Sequence, residues 1–219
     1  MGLLGLLGRR AGLSDPGPLR RLVAQHLPFE QLEDALVPLH VVVTDVLTGR
    51  DTRLSRGSAV QAVMASAAIP GVFPPVVING RAFMDGGVAN NAGISHAIDL
   101  GADIVYVLPT GWSCSLDQAP TAALGVALHG LTVLVQHRLA DDVDRYRDHV
   151  SLHVVPPPCP IRVGPADFAH AAELIESGYA AAARWLAHGH LDAPRLLVPH
   201  DHTRRGPIAS NSVEGGSLS

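Results

Sequence analysis

The densest group of residues able to do chemistry is RAFMDGGVANN, Arg81 to Asn91. Asp85 ends a short apolar run, Gly86 and Gly87 follow, and Asn90 and Asn91 come three residues beyond. A carboxylate at a strand end is a candidate general base, because ligands in α/β sheets gather at the C-terminal ends of strands. Two glycines beside it leave room for an ester to approach and let the backbone bend with positive φ. The plainer reading is a turn, since Asp-Gly is ordinary turn chemistry. Taken alone, the turn reading is the stronger.

Other candidates are weaker. Ser113 in GWSCS follows the strand-like DIVYVLP, a context that suits a nucleophile. Ser115 stands where a second glycine belongs, and Trp112 would crowd the turn, so an ordinary loop serine is the favoured reading. Ser14 in GLSDP has Pro16 in the same place and no strand before it. GLLGLLG spaces its glycines regularly, but no strand leads into it. His188, His190, His200 and His202 form His-x-His pairs near the C-terminus. A metal site needs several convergent ligands and a second shell, and these histidines read as solvated. His40 and His96 would serve a Ser–His triad only beside a nucleophile elbow. Cys114 and Cys159 form no CxxC pair and no disulfide framework.

The elements that must position Asp85 are legible nearby. Leu39 to Val46, LHVVVTDV, is a β-branched run after Pro38, the pattern of a strand buried on both faces. TGRD turns it back into TRLS, a hairpin. Ser58 to Ala68 reads as a small-residue helix capped by Ser58 and stopped by Pro70. Asn79-Gly80 lies between two apolar runs and calls for a tight hairpin turn, since both central residues tolerate positive φ. Ile94 to Leu100 is helical and closed by Gly101, and ADIVYVLP is a second buried strand. Strand, helix, strand in that order predicts a right-handed crossover and a parallel sheet.

Further along, apolar residues from Ala122 to Tyr146 recur at spacings of three and four, the mark of one long amphipathic helix. That periodicity favours a soluble helix over a membrane span for the uncharged stretch between Asp117 and Arg138. SLHVV is another strand, and Asp167 caps a last helix through Trp185 and Leu186. Leu19 to Leu27 is a short helix ended by Pro28, and the Gly/Ser-rich tail from Thr203 is expected to be disordered.

Composition narrows the partners. The 219 residues carry a net charge of -4 with His neutral, so nothing in the charge suggests a nucleic-acid partner. Hydrophobic residues at 47% suffice for one core. In MGLLGLLGRR the arginines follow the apolar part, the reverse of a secretory signal, and Leu6 stands where myristoylation wants Ser or Thr. A reducing, cytoplasmic setting suits the two thiols.

LHVVVTDVLTG, ASAAIPGVFPPV, RAFMDGGVANN and DLGADIVYVLP, in this order and spacing, resemble the patatin-like phospholipase family. The resemblance implies a three-layer α/β fold with a mainly parallel central sheet and a Ser–Asp dyad without histidine. It implies that Asp85, with Gly86 and Gly87, is the proton acceptor for a serine that attacks an acyl ester. A hydroxyl is a poor nucleophile until such a base takes its proton, and a lone carboxylate doing so needs close packing and an adjusted pKa.

The family's G-x-S-x-G and oxyanion loop should precede Leu39, and neither is there. The expected organisation is a linking helical segment over 1–38, the C-terminal part of a patatin-like domain over 39–200 with its N-terminal strands missing, and a disordered tail over 201–219. One expectation is a lipid acyl hydrolase fragment, mis-started or truncated and inactive alone. The alternative is a non-catalytic remnant serving as a binding or regulatory module. The partners implied are a lipid or other acyl ester, a membrane touched peripherally, and a complementing N-terminal segment. No metal or organic cofactor is implied.

Overall fold

A computed structural model describes residues 12–110, 118–158 and 168–187. The first helix among the described residues, α1 (Gly17–His26), precedes strand β1 (Val41–Asp45). β-branched side chains stiff at χ1 favour the extended chain in β1. The TGR turn returns it as β2 (Asp51–Leu54), antiparallel, with Val41 opposite Leu54 and Thr44 opposite Asp51. Asp45 organises this turn. One carboxylate oxygen accepts from the Leu47 and Thr48 N–H groups and from the Thr48 hydroxyl, and the other lies 2.8 Å from Arg81 Nη2. These donors, the Thr48 N–H foremost and then Arg81, hold the Asp45 carboxyl below the usual carboxylate range.

Helix α2 (Ala59–Ser66) starts at Ser58, whose Oγ accepts the Gln61 N–H. Its buried Ala59, Ala62 and Ala65 are small enough to let the helix lie close to the sheet. Ala65 packs with Val43 and Phe83, and Ala59 and Ala62 pack with Leu32. Strands β3 (Val76–Ile78) and β4 (Arg81–Asp85) meet at Asn79-Gly80, where φ is 50° and 76°. That left-handed pair is what a two-residue turn of the primed type requires. It sets Ile78 opposite Arg81 and Val76 opposite Phe83. β4 then pairs with β1, placing Asp85 opposite Val43. The sheet order is β2-β1-β4-β3.

After β4 come α3 (Ile94–Asp99), β5 (Ile104–Val107), α4 (Ala123–Tyr146), β6 (Ser151–Val154) and α5 (Ala171–Ala187). β5 and β6 pair in parallel, with Ile104 opposite Ser151. Ile94, Val105, Val107, Leu139, Val143 and Val154 form the core beneath that pair.

The α/β class holds, but the expected parallel arrangement does not describe the strands around Asp85. All neighbours in the four-stranded sheet are antiparallel, and parallel pairing among the described residues is confined to β5 and β6. Short turns at 46–50 and 79–80 leave β1/β2 and β3/β4 no other geometry. The α3 connection delivers β5 to the second sheet instead of to the edge of β4. Nor is β5 buried on both faces. Val105 and Val107 are buried, whereas Ile104 and Tyr106 are 58% and 52% exposed, the alternation of a sheet covered on one side. The apolar stripe of α4 is buried chiefly near its C-terminal end, at Leu139 and Val143, while Leu134 is 67% exposed. Among the described residues no helix is long and apolar enough to cross a membrane. Ser113, Cys114, Cys159, Asp167, the four C-terminal histidines, GLLGLLG and the tail lie outside the described residues.

Candidate active site

Asp85 is the last residue of β4, and its backbone is fixed from both sides. Its N–H donates to the Ala68 carbonyl at 3.1 Å, and its carbonyl accepts from Thr44 Oγ1 at 2.8 Å. The chain then tightens into a 3-10 turn, Gly86–Val88, which Asp85 caps. The Asp85 carboxylate accepts the Gly87 N–H at 2.7 Å.

Gly86 is required for space, and neither glycine is there for positive φ, since neither is among the residues with left-handed backbone. A Cβ on Gly86 would overlap the Val42 carbonyl oxygen and come within 2.7 Å of its carbon. The backbones of β1 and of the turn approach that closely only because no side chain intervenes. A Cβ on Gly87 would meet softer neighbours, the Asp85 and Asn91 Oδ1 atoms, each at 3.0 Å.

The carboxylate lines a cleft of about 490 Å³ together with His40, Ser66, Asn91 and His96. The sheet carries two further aspartates, Asp45 and Asp51, and the environments of the three differ. Asp45 is saturated by its turn and Arg81. Asp51 accepts from Asn90 Nδ2 at 2.8 Å; that bond first, and also the charge of His96, holds its carboxyl below the ordinary range. Burial pushes the Asp85 carboxyl above its ordinary value, with the Gly87 N–H opposing in part. A carboxylate with raised proton affinity, facing a cleft and nearly free of donors, is suited to taking a proton from a bound hydroxyl.

Among the described residues, no side-chain hydroxyl bonds that carboxylate. Ser66 shares the cleft, but its Oγ donates to the Val42 carbonyl at 2.8 Å. His40 and His96 both reach the cleft wall, as a triad would want, yet each is engaged elsewhere. His40 Nδ1 is 2.8 Å from Ser55 Oγ. His96 Nε2 is 2.9 Å from Asp51 Oδ2 but off the hydrogen-bonding direction, so that pair is held by charge when the ring is protonated. No group of three metal-binding side chains occurs among the described residues.

Residue types and the family resemblance together pointed to Asp85, Gly86 and Gly87, and the structure brings these three into one cleft wall. They gave no role to Ser66, Asp51 or Asn90. For Asn90 a signal existed: it sits at a fixed short distance behind the glycines, inside the loop that returns to α3.

The family model described as patatin-like phospholipase matches residues 2–98, a span that includes β1 through β4 and most of the cleft wall. Over that span the chain is similar to the patatin-like phospholipase family. Curated relatives agree with this. Lysophospholipase NTE1 of Phaeosphaeria nodorum is 27% identical over 172 residues, 68% of this chain and 11% of that protein. The enzyme of the same name from Pyricularia oryzae is 32% identical over 105 residues, 48% of this chain and 7% of its own length. Lysophospholipase nte1 of Emericella nidulans is 25% identical over 173 residues, 68% of this chain and 11% of its own. The chain therefore spans about a tenth of the length of the curated relatives it matches. Its patatin-like segment carries the cleft with Asp85, while the G-x-S-x-G pattern is not found in the 219 residues.

Proposed function

We propose that this chain is the base-carrying part of a patatin-like lipid acyl hydrolase, acting on lysophospholipid or related acyl esters. Asp85 accepts the proton of a serine supplied by sequence outside these 219 residues. The observation that carries the reading is the Asp85 carboxylate itself: half-buried, facing the cleft, and bonded by one backbone N–H.

The steps balance without a cofactor. The serine Oγ bonds to the ester carbonyl carbon as its proton passes to Asp85. The tetrahedral intermediate collapses, the C–O bond to the alcohol breaks, and Asp85 returns the proton to the departing oxygen. Water then repeats the sequence on the acyl-serine, giving up a proton to Asp85 and releasing the acid. The raised proton affinity of Asp85 narrows the gap between hydroxyl and carboxylate that makes such transfers slow.

Loss of a nucleophile typically costs on the order of 10⁶ in kcat, so the 219-residue chain alone is inactive in this reading. Translating the DNA upstream of Met1 shows whether a strand, a glycine-rich loop and G-x-S-x-G lie in frame. Joined or co-expressed with such a segment, the chain is expected to hydrolyse p-nitrophenyl butyrate and a lysophospholipid. Asp85→Asn is expected to lower that turnover by about 10⁴-fold or more. Turnover indifferent to Asp85→Asn overturns the base role. No turnover from the joined chain favours a non-catalytic module.

A further inference from the structure

We propose that Asn90 and Asp51 are positioning residues: together they clamp the 86–93 loop and thereby fix the Asp85 carboxylate against the cleft. The inference deepens the reading of Asp85 as a base, and rests on it for its catalytic meaning alone.

Asn90 is only 6% exposed. A buried amide must be satisfied, and this one is used in full. Its Nδ2 donates to Asp51 Oδ2 at 2.8 Å and to Ser95 Oγ at 2.9 Å. Its Oδ1 accepts the Gly93 N–H at 2.9 Å, and its own N–H donates to the Gly86 carbonyl at 2.8 Å. One residue thus ties together the start of the loop, its end, helix α3 and strand β2.

The loop has little freedom left. Gly86 is pressed against Val42, and Gly93 holds φ at 61°. Between them stands Gly87, the donor to Asp85. If Asn90 lets go, Gly87 is free to swing outward, and the carboxylate loses its one bond and admits water.

Asp51 anchors the clamp from outside. Its Oδ2 faces both Asn90 Nδ2 and His96 Nε2, so one oxygen on β2 gathers the loop and the helix after it. Neither Asn90 nor Asp51 bonds the Asp85 carboxylate, and both act through the loop.

The test reads Asp85 itself. The 219-residue chain is labelled with carbon-13 at aspartate carboxyls, Asp85 is assigned by its loss in Asp85→Asn, and its titration is followed by NMR. The other titratable groups on the cleft are His40 and His96. Asn90→Ala and Asp51→Ala are each expected to move the Asp85 midpoint down, toward that of exposed aspartates, as water reaches the group. The double variant should move it no further than either alone. Asp51→Asn keeps an acceptor for the Asn90 amide and should leave the midpoint near wild type. A role confined to stability lowers the melting temperature of the alanine variants without moving the midpoint, and that result overturns the proposal.

If the alanine variants do not fold, hydrogen exchange in the wild-type chain decides. The clamp expects the Gly87 and Gly93 amides to be protected like those of β4, and exchange at free-loop rates refutes it. The titration needs no turnover. A shifted midpoint with an inactive joined enzyme keeps the clamp and removes the base, while an unmoved midpoint with Asp85-dependent turnover does the reverse.

Discussion

Replacing Gly86 with alanine tests the geometry around Asp85 most directly. The new methyl would overlap the Val42 carbonyl oxygen and lie 2.7 Å from its carbon. This obstacle is backbone in the middle of the sheet and cannot rotate away. Val42 is paired with Arg53 across β2, and its carbonyl accepts the Ser66 hydroxyl at 2.8 Å. Forcing a methylene's worth of volume into such a place costs about 1–3 kcal/mol. Pushing the carbonyl back also strains the Ser66 bond, worth about 1 kcal/mol. A loss of about 3 kcal/mol follows, a large share of the ~5–15 kcal/mol that folded domains hold. For a chain of this size it lowers the melting temperature by about 6–12 °C. Gly87→Ala is the control, because its methyl meets only the Asp85 and Asn91 side chains, each at 3.0 Å and each able to yield. That variant should lose about 1 kcal/mol, or ~2–4 °C. Circular-dichroism melts and urea midpoints of both variants decide. Equal melting of the two, or a Gly86→Ala protein within about 2 °C of wild type, would refute the close approach of β1 and the turn.

Other outcomes follow from the same site. Because the folded Asp85 carboxyl lies above its ordinary 3.8, its contribution to stability is full below 3.8 and is lost as pH rises through the folded value. Asp85→Asn should therefore be more stable than wild type at pH 7, with the advantage vanishing in acid, as read from urea midpoints across pH. In the joined enzyme that carboxylate must be ionised, so kcat/KM should fall as pH drops through the same raised value. Asp45 and Asp51 have the opposite sign. Their carboxyls are lowered, so their contributions are present above 3.8 and lost as pH falls through the lowered values. Asp51→Asn should accordingly make the chain less sensitive to acid in the same series. Gly80→Ala forces a side chain into φ of 76° with open space around it, a purely conformational cost of about 1–2 kcal/mol. An unchanged urea midpoint for Gly80→Ala would argue against the primed turn.

Local chemistry made much of this legible before any coordinates. Asn79-Gly80 announces a primed turn because few other pairs tolerate its φ angles. Ser58 announces its helix by its position as a cap, and α4 announces itself by spacing. What stayed hidden depends on residues far apart in the chain. Strand direction is a non-local choice, so a βαβ reading and an antiparallel sheet compete for the same runs of valine. Periodicity marks a stripe on α4 but does not say where along its length the partner ends, which is why Leu134 is left exposed. The need for Gly86 lies at Val42, on another strand. Asn90 looks like half of an asparagine pair until Asp51, 39 positions away, is seen to hold it. Asp85 itself was picked out by family resemblance more than by its own spacing, since Asp-Gly is common in turns.

The two-residue turn at Asn79-Gly80 has a bearing beyond its own stability. Side chains alternate along β4, and Asp85 shares its face with Phe83, which is buried against Val43 and Ala65. Inserting or deleting one codon at the turn leaves the chain two choices: bulge the extra residue out, or shift β4 by one place. The shift reverses the parity of the whole strand, hides Met84 where Phe83 had been, and sends the acid to the far side of the sheet. The number of atoms in a solvent-facing bend thus decides whether the carboxylate meets its cleft at all.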